Sequence, residues 1–230
     1  MSGELIGLET RRNSSCLAGA DVGSTRTATP SSLSTSPLNV PRVGGTSLGG
    51  LVIMTMAAKK MPMIAAAVLN DVGPRVGAAG LKRIASYAGK SAPLQTWADA
   101  AAYAKATSGV AFPAYGDSDW AAMARRTFRS GPNETPELDY DPRVVSKIRP
   151  WLVKLTSPLV WAAFKRLARN HPVLVVRGEL SDILEAATVQ RMTKAAPTLS
   201  TVEVPGVGHA PTLEEATAKQ ALAAFLQRVE

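Results

Sequence analysis

Cysteine occurs once in this 230-residue chain, at Cys16, and histidine twice, at His171 and His209. A single cysteine excludes an internal disulfide framework, and no Cys/His spacing for structural zinc can be drawn from so few ligands. Aromatic residues make up 5% of the chain, and no basic block with interleaved aromatics or other nucleic-acid-binding motif is present. The longest apolar run, Leu51–Ala58, is far shorter than the roughly 20 residues a membrane-spanning helix needs. The opening MSGELIGLETRR lacks the basic region and long apolar stretch of a signal peptide. These absences predict a soluble cytoplasmic protein with no metal, no cofactor and no membrane partner. They leave its oligomeric state open.

The chain is basic, with net charge +8 and pI about 9.9. The charge is dispersed in pairs such as Arg11-Arg12, Lys59-Lys60 and Arg125-Arg126. Dispersed pairs read as a solvated surface, so nucleic acid is not an expected partner. Strongly salt-dependent DNA affinity is the observation that would revive it.

The 46% hydrophobic content is enough for a buried core in one domain, with room for an inserted subdomain. Residues 1–37 differ from the rest. GSTRTATPSSLSTSP is rich in Ser, Thr and Pro and nearly free of bulky apolar side chains, so that segment is expected to be disordered. From residue 38 the pattern becomes globular. LNVPRVGG is a short strand candidate weakened by Pro41. LGGLVIMTMAAKK has helical spacing and ends in lysines that suit a helix C-terminus. MIAAAVLNDVGP reads as a buried parallel strand and its exit loop.

Residues 75–168 are mostly helical. A Thr96–Asp99 capping box opens one helix, and Ser118 or Asp119 is the expected N-cap of another. DYDPRVVSKIRPWL reads as a turn with a short helix, and SPLVWAAFKRLA as a further helix. Over 169–230 the order is strand, helix, strand, helix. Together these predict an α/β fold with a parallel sheet, its core formed by 38–74 and 169–230 and interrupted by a helical insertion.

Gly45-Thr46-Ser47-Leu48-Gly49 fits G-x-S-x-G between a strand candidate and a helix. In such an elbow a sharp turn lifts the serine above the sheet edge, and glycines relieve crowding on either side. The backbone N–H of the next residue, Leu48, then faces an oxyanion at the helix N-terminus. A serine nucleophile needs a base. His209 lies in VPGVGHAPTLEE, an exposed loop set by glycines and prolines, whereas His171 opens a strand and reads as structural. Loops at the carboxyl ends of parallel strands gather functional groups, and VLVVRGELSDIL puts Glu179 and Asp182 in such a loop. Asp182 is the expected acid. Glu179 is the alternative, and Asp182 could instead cap the helix that begins at Ile183.

GTSLGGL, VLNDVGP, PVLVVRGELSDIL and VPGVGHAPTLEE, in this order, make residues 38–230 resemble the α/β-hydrolase superfamily. The resemblance implies a parallel-sheet hydrolase core and a Ser47–Asp182–His209 triad with Leu48 as oxyanion donor. It also implies a helical cap over 75–168 and a small-molecule ester or related acyl substrate. It leaves C–C hydrolysis and haloperoxidase chemistry open, and it implies a pocket drawing on Trp97, Tyr103, Trp120, Trp151 or Trp161, with ordinary cap packing as the alternative. Relatives carry several strands and a His-Gly type loop before the nucleophile. Here 46 residues precede Ser47 and no His-Gly pair occurs; Ile6-Gly7 stands nearest to that pattern. The N-terminal strands are therefore expected to be largely missing, through deletion, a wrong start or out-of-frame translation. The alternative function is a truncated, inactive hydrolase-like fragment.

Overall fold

A computed structural model of the chain describes residues 41–59, 63–87, 94–139 and 150–229, with side chains from residue 158 onward in the last stretch. The expectations for 1–37 and for the turn around 140–149 lie outside the described residues, as does Lys60.

Four parallel strands make the sheet: β1 (Arg42–Thr46), β2 (Ala66–Asn70), β5 (Val173–Gly178) and β6 (Ser200–Val204). They lie side by side in the order β1-β2-β5-β6. β2 and β5 are buried along their whole length, as their continuous apolar sequences require of central parallel strands. β1 is a poor strand by composition, RVGGT, and is held by its register with β2, Gly45 beside Leu69 and Thr46 beside Asn70. Pro41 stays outside the strand, and its carbonyl accepts the N–H of Ala65.

Helices cover both faces. Alternate residues of the central strands point to opposite sides. Ala67, Leu69, Val173 and Val175 meet Met54, Phe164, Leu167 and Met192 in one core cluster. These partners come from α1 (Leu48–Lys59), α5 (Pro150–Asn170) and α6 (Ala186–Ala195). Ala66, Val68, Leu174 and Val176 meet Phe112, Trp120 and Phe225 in the other. Phe225 lies on the terminal helix α7 (Ala216–Arg228). Phe164 and Met54 have no exposed surface, and each contributes about 1.5–3 kcal/mol by leaving water.

The helical block of the sequence divides in two. α2 (Ala78–Tyr87), α3 (Trp97–Ser108) and α4 (Asp117–Thr127) are followed by a hairpin of β3 (Phe128–Ser130) and β4 (Pro136–Leu138), which the expected run of helices does not include. Ala100, Ala124 and Phe128 form a small core where α3, α4 and the hairpin meet. α5 instead packs on α1 against the sheet. It runs unbroken through Pro158, where two segments are expected from the sequence. An interior proline costs about 3 kcal/mol, and burial of Trp161, Phe164 and Leu167 along the same helix offsets it.

The Thr96–Asp99 capping box forms as expected. The start of α4 is corrected: Gly116 is the N-cap, and Asp119 caps from inside by accepting the Gly116 N–H at 2.9 Å. No described helix is long and apolar enough to cross a membrane.

Candidate active site

The carboxyl ends of β1, β2, β5 and β6 lie along one edge of the sheet, and the loops that follow them meet there. Ser47 is the first residue beyond β1. Its φ of 51° is left-handed, a conformation that side chains other than glycine rarely adopt, and one consistent with the strained elbow. The turn is held by the Ser47 N–H donating to the Asn70 carbonyl at 3.0 Å. A Cβ on Gly45 would sit 2.5 Å from the Gly49 carbonyl carbon, so the strand and helix approach too closely for any side chain there. Gly49 is expected from the motif to relieve crowding as well, but a Cβ there would meet nothing within 4 Å. The crowded position is Gly50, where a Cβ would clash with the Val72 side chain. Leu48 begins α1, where a backbone N–H has no acceptor within its own helix.

His209 stands in the loop after β6. The loop is fixed to the one after β5 by three contacts. Leu180 N–H donates to the Val207 carbonyl, Gly206 N–H donates to Glu179 Oε2 at 2.8 Å, and Gly178 packs where a Cβ would touch the Gly208 carbonyl. Gly208 N–H also donates to the carbonyl of Ala111, in the turn between α3 and α4. His209 Nε2 lies 3.0 Å from Ser47 Oγ. Its Nδ1 lies 2.7 Å from Asp71 Oδ2. A carboxylate only accepts, so Nδ1 carries the hydrogen and the Nε2 lone pair faces the serine.

The structure brings Ser47 and His209 together, whereas Asp182, the acid expected from the sequence, makes its hydrogen bonds to Arg83 instead. The carboxylate beside His209 is Asp71, the first residue beyond β2. Asp71 is fully buried and has a left-handed φ of 52°. Its Oδ1 accepts the Gly178 N–H at 2.9 Å. Its Oδ2 accepts from His209 and from the hydroxyl of Ser181, in the β5 loop, at 2.6 Å.

Asp182 forms a two-pronged ion pair with Arg83 of α2, both contacts at 2.7 Å. The Arg83 hydrogen bonds hold the Asp182 carboxyl below its ordinary range, and Asp182 in turn raises the guanidinium. Asp182 does not cap a helix either, since α6 starts at Ala186 with Glu185 as N-cap. Glu179 holds Gly206 and does not meet His209. His171 precedes β5, at the end of that strand remote from the site.

Asn70 is a further residue that the sequence does not single out. Its side-chain amide donates to Thr46 Oγ1 at 3.0 Å and to the Pro211 carbonyl at 2.8 Å, tying the elbow to the histidine loop. The signal for both Asn70 and Asp71 is a polar pair closing a fully apolar strand. Of the aromatics, Trp120 and Trp161 are core residues, and Trp97 lies under the Arg125 guanidinium. Tyr103 packs edge-on to Phe128, and the Trp151 side chain lies outside the described residues. Among the described residues, no group of three or more His, Cys, Asp or Glu side chains could hold a metal ion.

The sequence profile of the alpha/beta hydrolase family matches residues 19–224. A 3-hydroxybutyrate-oligomer hydrolase from Cupriavidus necator is 33% identical over 185 residues, covering 76% of this chain and 61% of that protein. An alpha/beta hydrolase from Novosphingobium aromaticivorans has a similar structure, with TM-score 0.71 and 38% identity over 80% of this chain and 64% of that one. A Rickettsia typhi protein superposes with TM-score 0.65 at 26% identity, covering 80% of this chain and 61% of its own. The chain therefore spans less than two thirds of the length of these relatives.

Proposed function

Because the chain belongs to the alpha/beta hydrolase family, we propose that it is a serine hydrolase acting on esters, with Ser47 as nucleophile, His209 as base and Asp71 as acid. The observation that carries this reading is the unbroken line of contacts, 3.0 Å from Ser47 to His209 and 2.7 Å from His209 to Asp71. Ser47 Oγ attacks the ester carbonyl while its proton passes to His209 Nε2. Asp71 steadies the imidazolium through Nδ1–H, and the Leu48 N–H faces the developing oxyanion. The imidazolium returns the proton to the departing alcohol, and water then releases the acid by the same route.

A 3-hydroxybutyrate oligomer is a chain of esters, so the name of the Cupriavidus relative puts short hydroxyacid esters first among substrates. The cap expected over 75–168 is assigned to α3, α4 and the hairpin, since α5 packs on α1. The Gly208–Ala111 hydrogen bond and the packing of Phe112 and Trp120 with Val207 support that assignment.

The test is covalent labelling with a fluorophosphonate, read by peptide mass spectrometry. One adduct on Ser47, absent from Ser47→Ala, is expected. Asp71→Asn should slow labelling by up to about 10⁴-fold, as loss of a triad acid does, while Asp182→Asn should stay within a few-fold of wild type. Equal losses in the two variants, or no adduct on folded protein, would overturn the assignment.

A further inference from the structure

We propose that Ser181 is a positioning residue that acts through Asp71, an inference that rests on the reading above. Ser181 is 8% exposed. Its Oγ accepts the N–H groups of Ile183 at 3.2 Å and Leu184 at 3.0 Å. Those two donors occupy its lone pairs, so the hydroxyl hydrogen is left for Asp71 Oδ2, 2.6 Å away. That length belongs to a hydroxyl donating to a charged carboxylate.

Asp71 is thereby held by three donors, one each from the end of β5, the loop after it and the loop after β6. Gly178 N–H takes Oδ1, and Ser181 and His209 share Oδ2. Without Ser181, His209 is the one donor left to Oδ2 among the described residues, and the carboxylate plane is free to turn about the Gly178 contact. The β5 loop is itself anchored from α2. Arg83 grips the neighbouring Asp182, and the Asp182 carbonyl lies where a Cβ on Gly77 or Gly80 would clash. The hydroxyl of Ser181 bonds to Asp71 and to the backbone of its own loop, so its effect passes through the aim of Asp71 at His209.

The test uses the full chain and two readouts. The first is the proton NMR signal of His209 Nδ1–H in protein carrying ¹⁵N-histidine, assigned with His171→Gln. The second is the rate of fluorophosphonate labelling at Ser47. Ser181→Ala should shift or abolish the Nδ1–H signal and slow labelling about ten- to a hundredfold, the size expected of a hydrogen bond to a charged group. Ser181→Thr, which keeps the hydroxyl, should restore both.

An unmoved signal with labelling within twofold of wild type in Ser181→Ala overturns the proposal and leaves the hydrolase reading standing. A signal that responds to Ser181→Ala in protein that never labels sinks the hydrolase reading and supports the Ser181–Asp71 link.

Discussion

Two aspartates near the same sheet edge meet different surroundings. Asp71 has no exposed surface and three donors on its oxygens, which replace the water it gives up. Asp182 is part-exposed and paired with Arg83. Asn70 belongs with Asp71, because its amide bridges Thr46 and Pro211 on the two loops that carry Ser47 and His209. Asn70→Ala leaves the buried Pro211 carbonyl without that donor. It should cost about 1–3 kcal/mol in urea unfolding and slow Ser47 labelling. Unchanged labelling in the folded variant would show that the amide serves stability alone.

At the scale of elements, the elbow depends on how closely α1 approaches β1 and β2. Gly45 and Gly50 sit at that contact and Gly49 does not. Gly45→Ala and Gly50→Ala should each cost about 1–3 kcal/mol through overpacking. Gly49→Ala should be neutral or stabilise by up to about 1 kcal/mol, since alanine favours a helix over glycine. Urea midpoints of the three variants decide this, and a Gly49→Ala loss equal to the others would refute it. Helical spacing made α1 legible from the sequence, whereas the identity of the tight glycine was not, because Val72 approaches from another strand's exit loop.

For the whole molecule, the Arg83–Asp182 pair joins α2 to the β5 loop. The Asp182 carboxyl is lowered by its Arg83 hydrogen bonds. Its contribution is therefore present above the unfolded value, about 3.9, and is lost as pH falls through the lower folded value. The stability difference between wild type and Asp182→Asn should be about 1 kcal/mol near neutrality and should shrink below about pH 4. Urea unfolding at several pH values measures it, and a difference that grows toward acid would contradict the pairing.

By itself the sequence determined the alternation of strands and helices, the G-x-S-x-G elbow and the glycine- and proline-bounded histidine loop, since each is written in neighbouring residues. Only the tertiary structure decided which carboxylate meets His209. Asp71 and Asp182 both follow buried strands, and nothing local separates them. The register that sets Asn70 beside Val176 carries Asp71 to the Gly178 N–H and Ser181, while α2 supplies the arginine that pairs with Asp182.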